Sequence, residues 1–241
     1  MATVEARRAY DFHLPISSLP PELLSRIFCV LRDTFFDHPS HWKDLSEIRP
    51  DRWMAILRVC NTWRDVAIHT PMLWTHIVLS FQPRDYMRVQ EMLHRSKQCP
   101  LVLMANLFMP AQYNSDESIM PSIYYDIKAN LGRCRILNLC GVDTPFLDSL
   151  FVGSDYNQLE SFRISYGHRI RNVAVLDDML SRAKSIRRLH VEHGVLNLKN
   201  PSLVSLTHLI LVHSWLTEIS TASVVTICLS SWRYSTLREL S

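Results

Sequence analysis

Apolar positions along the chain fall into two textures that change near residue 80. Before it, the spacing is helical. Leu23, Leu24, Ile27, Phe28 and Leu31 form two adjacent i, i+4 stripes, Leu23/Ile27 and Leu24/Phe28, with Leu31 extending them. A surface helix needs one such stripe to face its core. Two make an apolar arc wide enough for one side to pack at home and the other to meet a partner. Pro21 suits the first turn of this helix, where its missing N–H would be unpaired anyway, and Glu22 complements the positive end of the dipole. Trp53, Ile56, Leu57, Cys60, Trp63 and Ala67 recur at spacings of three and four and predict a second helical run to Ile68. Asn61-Thr62 is placed to cap a break within it, and Thr70-Pro71 to end it, because the residue before proline avoids the helical region. Leu73, Trp74, Ile77 and Leu79 then begin a strand-like pattern. Asp33 to Arg52 reads as a long connection between the helical runs.

Beyond residue 80 helix and strand alternate. A helix over Met87 to Ser96 precedes the apolar run Leu101 to Met104. A row at Ile119, Ile123, Ile127 and Leu131 predicts another helix. A short pattern then recurs, apolar-x-x-apolar-x-apolar: Cys134, Leu137, Leu139; Leu159, Phe162, Ile164; Ile186, Leu189, Val191; Leu206, Leu209, Leu211. The last apolar residue of each copy advances by 25, 27 and 20 residues, the spacing of leucine-rich repeats, with one strand and one helix or turn per repeat. Residues 172–185, apolar at Val173, Leu176, Leu180 and Ala183, read as a helix between two of these strands. The copies are irregular and lack the usual Asn or Cys after the strand. A half copy, Leu237 and Leu240, closes the chain, so either the repeat continues past Ser241 or the last strand is an exposed edge. The predicted class is α/β: a disordered N-terminus over 1–13, a helical domain over 14–80 and a repeat-like solenoid over 81–241.

Composition narrows the function. Of 241 residues, 47% are hydrophobic and 20% charged, which fits a folded and not a disordered chain. The 26 basic and 23 acidic residues balance too evenly for charge alone to argue nucleic-acid binding. The five glycines are scattered, which removes phosphate-cradling and dinucleotide-binding loops. No two of the six cysteines form Cys-x-x-Cys; they read as buried thiols in a reducing compartment. There is no signal peptide pattern and no run of about 20 apolar residues to span a bilayer. A cytoplasmic or nuclear protein is the expectation.

The first third resembles the F-box family, and in particular the F-box-like proteins expanded in mushroom-forming fungi. The resemblance rests on Leu19-Pro20-Pro21-Glu22-Leu23-Leu24 with Ile27-Phe28, on Val59-Cys60 with Trp63, and on Thr70-Pro71-x-Leu73-Trp74. Looser likeness extends to Arg95-Ser96, Cys99-Pro100-Leu101 and Leu206-Thr207-His208-Leu209. It implies a three-helix F-box followed by an irregular leucine-rich-repeat-like recognition domain. It also implies a substrate receptor of an SCF-type cullin-RING E3 ubiquitin ligase, docked on a Skp-type adaptor and holding a client protein. By match of motif, Leu19, Pro20, Leu23, Ile27, Val59 and Trp63 would face or frame the adaptor. The long 33–52 connection departs from a compact F-box and bears on the docking angle.

The residue patterns specify no catalytic chemistry. His190-Val191-Glu192-His193 lacks the downstream Pro-Cys-x-x-Cys that a zinc deaminase needs; His190 and Glu192 point the same way on a predicted strand and read as a solvated face. His38 and His41, near Asp37 and Asp44, read as polar loop. No Gly-x-Ser-x-Gly elbow is present, so the chain reads as a non-enzyme without metal or cofactor. If the repeats form strands, alternation places Ile136, Ser161, Arg188 and His208 beside Asn138, Arg163, His190 and Ile210 in a two-column ladder. Arg163, Arg188, His190 and His208 make it mildly basic and suited to a client with acidic or phosphorylated residues; a plain solvated face is the competing reading. A non-ligase F-box-like scaffold and a nucleic-acid binder using the basic ladder are the alternative functions.

Overall fold

The structure is a computed structural model that describes residues 15–36, 52–79, 83–106, 119–142, 144–166, 174–197, 199–212 and 215–217. Most of the 33–52 connection, His38, His41 and Cys228 lie outside them, as do the segment 1–13 and the closing half repeat. The architecture is mixed α/β, with parallel pairing in each described strand pair. Two units, 1–126 and 127–241, divide the chain.

The first unit opens with a 3-10 turn, Pro15–Ser18, and helix α1, Pro21–Thr34. Pro20 occupies the cap position, and its carbonyl accepts the amides of Leu23 and Leu24 at 3.0 and 3.1 Å. Pro21 stands in the first turn with Glu22 behind it, as proline's missing donor and the helix dipole predict. The second helical run divides into a 3-10 helix, Arg52–Arg58, and α2, Asn61–Ile68. The break falls at Val59-Cys60. Cys60 is the cap residue, and Asn61 starts the helix without a side-chain cap. Leu73 and Trp74, read from sequence as the start of a strand, lie instead in a 3-10 turn, Pro71–Trp74. The physical reason is Pro71, whose fixed φ suits a helical first turn; the strand β1 begins later, at His76–Leu79. Helix α3, Pro83–Arg95, then crosses to β2, Leu101–Asn106, parallel to β1 with Ile77 opposite Leu103.

Phe28, Phe36, Trp53 and Trp74 are the aromatic members of a largely aliphatic core in this unit. Trp53 is fully buried, edge-on to Trp74 at 5.2 Å, and the Trp74 indole N–H donates to the Ala67 carbonyl at 2.8 Å. Arg32, on the last turn of α1, is buried. Its guanidinium donates to Thr75 Oγ1 at 3.1 Å, to the Met72 carbonyl and to Asp33. This ties α1 to the turn that feeds β1.

Helix α4, Ile119–Asn130, ends in a 3-10 turn, Leu131–Arg133, with Ile127 and Leu131 buried. In the second unit, β3 (Cys134–Val142), α5 (Thr144–Phe151), β4 (Ser161–Tyr166), α6 (Ala174–Arg182), β5 (Arg188–Glu192), a 3-10 turn (Pro201–Ser205) and β7 (His208–Val212) follow in order. A short pair, β6 (Val195–Asn197) with β8 (Trp215–Thr217), has no counterpart in the apolar spacing.

Strands β3, β4, β5 and β7 lie side by side in that order. Leu137, Phe162, Leu189 and Leu209 share one row, and Leu139, Ile164, Val191 and Leu211 the next. These are the last two apolar residues of each sequence copy. They are buried in β3, β4 and β5 and half-buried in β7, which among the described strands is the last in this order. The register is carried one residue upstream by amides of Glu160, Arg187 and Thr207 on the carbonyls of Arg135, Glu160 and Arg187 at 2.8–2.9 Å. Asn200 joins α6 to the following turn. Its Oδ1 accepts the Ser202 amide at 3.0 Å, and its Nδ2 donates to the Asp177 carbonyl at 3.0 Å.

Candidate docking surface and sheet face

Helix α1 divides its apolar arc lengthwise. At about 100° per residue, Leu24, Phe28 and Arg32 fall on one side, and these are the buried residues of the helix. Val30, Leu23, Ile27 and Leu31 fall on the adjoining side, and they are 66, 44, 45 and 38% exposed. Single exposed apolar side chains are ordinary on a protein surface, whereas a contiguous set marks an interaction site. Full burial of one such side chain contributes roughly 1.5–3 kcal/mol, so leaving four partly in water is a standing cost that a partner would recover.

The six residues matched to adaptor docking differ in exposure. Leu23, Ile27 and Val59 are well exposed, and Pro20 is exposed at the cap. Leu19 is half-buried, its amide on the Ile16 carbonyl at 3.3 Å. Trp63 is half-buried, its ring packed on Phe28 with centroids 5.0 Å apart. Trp63 therefore frames the surface from the home side, leaning on the residue that anchors α1. Motif matching passed over Val30, the most exposed of the α1 set. The signal was present: Val30 lies three residues after Ile27 and seven after Leu23.

The ladder drawn from strand alternation matches the strand register. Ile136, Ser161, Arg188 and His208 align across β3, β4, β5 and β7, and Asn138, Arg163, His190 and Ile210 align in the next row. A third row on the same face comes next, Cys140, Ser165, Glu192 and Val212. Its Glu192 changes the electrostatics. Arg163 pairs with it at 2.6 Å, and His190 Nε2 lies 2.9 Å from the same oxygen. His190, Arg163 and a Ser165 hydrogen bond outweigh burial and hold the Glu192 carboxyl down to about 2. The face is thus not uniformly solvated: Asn138 is buried, and Arg163, His190 and Glu192 are mostly covered. Arg188 and His208 are exposed. Arg188 makes no ion pair among the described residues, so it, and not Arg163, is the arginine of these rows whose charge faces solvent.

Two of the five described cysteines are core, and Cys29, Cys60 and Cys99 are half-buried instead of buried. Cys134 and Cys140 are free and buried, and burial pushes their thiols up to about 12 and about 11. A thiol held protonated is a poor nucleophile and metal ligand. Among the described residues no group of three His, Cys, Asp or Glu could hold a metal ion, and no helix is long and apolar enough to cross a membrane. Against protein-family models, curated proteins and solved structures, no match to the chain was found.

Proposed function

We propose that the chain is the substrate-recognition subunit of an SCF-type cullin-RING E3 ubiquitin ligase, a non-catalytic adaptor in which α1 docks on a Skp-type protein. The observation that carries the reading is the exposed apolar side of α1, Leu23, Ile27, Val30 and Leu31, set beside the F-box-like motif residues that run through it. A helix that presents i, i+4, i+7 and i+8 apolar anchors is built for helix-in-groove docking, where a few buried anchors supply most of the affinity. Val59 and Trp63 extend the same surface by match of motif.

The client would bind the sheet face of the second unit. Arg188 and His208 would read an acidic or phosphorylated group, while the Arg163–Glu192–His190 cluster stays internally neutralised. A carboxylate or phosphate ester pairs with a guanidinium in bidentate fashion, and Arg188 has its guanidinium to give.

The test is co-expression with a Skp-type adaptor followed by a sizing column. A stable complex that elutes as one peak is the expected result. Separate elution of the two folded proteins would withdraw the ligase reading and leave an F-box-like scaffold.

A further inference from the structure

The first unit contains a cavity of 280 Å³, lined by none of the six residues matched to adaptor docking. Its apolar walls come from Met54 and Leu57 of the 3-10 helix, Ile68 of α2, Trp74, and Met92 of α3. Three guanidinium groups, Arg64, Arg88 and Arg95, surround this apolar space, with one carboxylate, Glu91. That carboxylate is already committed to Arg95 Nε. Arg88 also donates to the Val78 carbonyl at 3.5 Å, so an anion entering this open pocket would meet chiefly Arg64 and Arg95 beside the apolar walls.

We propose that this cavity binds a small organic anion with an apolar ring body, of the aryl carboxylate class. Size sets the body. A cavity of about 150 Å³ accommodates benzene, so the larger volume here admits a two-ring molecule but remains below the range of about 300–1,000 Å³ typical of drug-sized ligands. Chemistry sets the head. Arg95 Nη1 is buried without an acceptor, a costly state for a charged donor, and an anionic oxygen would complete it. The Arg95 guanidinium is held in place from behind, stacked 4.7 Å from the Trp74 ring centre, so the donor is preorganised. Arg64 is exposed and anchored by its Nε on the Leu57 carbonyl at 2.9 Å, which leaves it at the entrance. A cationic ligand would be repelled, and a neutral carbonyl would offer Arg95 Nη1 only the weaker, uncharged acceptor. Because the walls come from the 3-10 helix, α2 and α3, occupancy would clamp the helical segment to the crossover helix and raise stability by mass action.

The experiment is a titration of the full chain with 1-naphthoate and, separately, with the neutral 1-naphthamide, read by thermal midpoint and tryptophan emission. Saturable binding of the naphthoate with a rising midpoint is expected, and binding of the amide at least about tenfold weaker, as a charge-assisted contact implies. Arg95→Gln should remove the preference for the anion. Arg64→Gln changes an exposed side chain and keeps the test open if Arg95→Gln fails to fold; it should weaken naphthoate and leave the amide unchanged. No saturable binding at millimolar naphthoate, equal affinity for the two probes, or an Arg64→Gln variant indistinguishable from the unmodified chain would each overturn the proposal.

Discussion

Neighbouring residues on α1 have opposite fates, and their substitution costs should differ accordingly. Leu24→Ala removes a side chain that is 1% exposed and should cost about 2–5 kcal/mol through lost burial plus a cavity. Leu23→Ala, one residue earlier and 44% exposed, should cost under about 1 kcal/mol, as surface changes usually do. Urea denaturation of the two variants measures both. Gly194 illustrates a different constraint. A Cβ there would lie 2.8 Å from Val191 Cγ1, 2.9 Å from Tyr166 Cδ2 and closer still to Tyr166 Cε2, in a ring that is buried and cannot yield freely. Gly194→Ala should destabilise by about 1–3 kcal/mol, the range of overpacked cores. Glu192 makes a pH prediction. Its carboxyl titrates at about 2 in the folded chain against an ordinary value of 4.5, so its contribution is complete above the ordinary value and is lost as pH falls from there toward 2. Glu192→Gln should flatten that part of the stability profile, and urea midpoints at pH 5 and pH 3 for the two proteins check it. An unchanged pH slope would mean that the Arg163–Glu192–His190 cluster contributes nothing to folding.

At the scale of elements, local periodicity was highly legible and long-range pairing was not. The doubled stripe of α1, the helix of 174–182 and the repeated strands were all readable, because a 3.6-residue or 2-residue rhythm is written in adjacent letters. The rhythm did not separate a 3-10 turn from a strand at Leu73-Trp74, since four residues carry too little of either period. Nor did it reveal Arg32, which reads as the last basic residue of an amphipathic helix. The groups that satisfy it, the Met72 carbonyl and Thr75 Oγ1, are 40 and 43 positions away. Arg32→Leu should therefore be costly despite its apolar burial. It removes the guanidinium that ties α1 to the turn before β1, while Thr75 Oγ1 still donates to the Met72 carbonyl at 2.8 Å, so the cost should be about 1–3 kcal/mol. The same limit hid the role of Glu192. Alternation put it on the correct face with His190, but its pairing with Arg163 spans 29 positions, and that pairing decides which arginine of the face is left unpaired.

For the whole molecule, the division at 126/127 falls later than the change of texture near residue 80. The helical segment is joined to the turn and strand after it: Arg32 bonds to Thr75, Asp33 approaches His76 at 3.6 Å, and the Phe36 ring packs on His76. A unit of about 65 residues has little core of its own, and these contacts supply what it lacks. Under the proposed function an adaptor would dock on the first unit and a client on the second, so the two tasks would use separate surfaces. Arg188→Glu should accordingly abolish capture of acidic clients while leaving adaptor binding intact, and a pull-down of phosphorylated peptides beside the adaptor complex measures both on one sample.

The central claim is that the exposed side of α1 is an adaptor interface, and the double substitution Leu23→Asp/Ile27→Asp addresses it most directly. Both side chains point away from the core, so the variant should keep the unfolding midpoint of the unmodified chain. Its affinity for a Skp-type adaptor, measured by titration calorimetry, should fall by at least about a hundredfold, the scale expected when two central anchors of a helix-in-groove contact become charged. A folded variant that binds the adaptor as tightly as the unmodified chain would contradict the account.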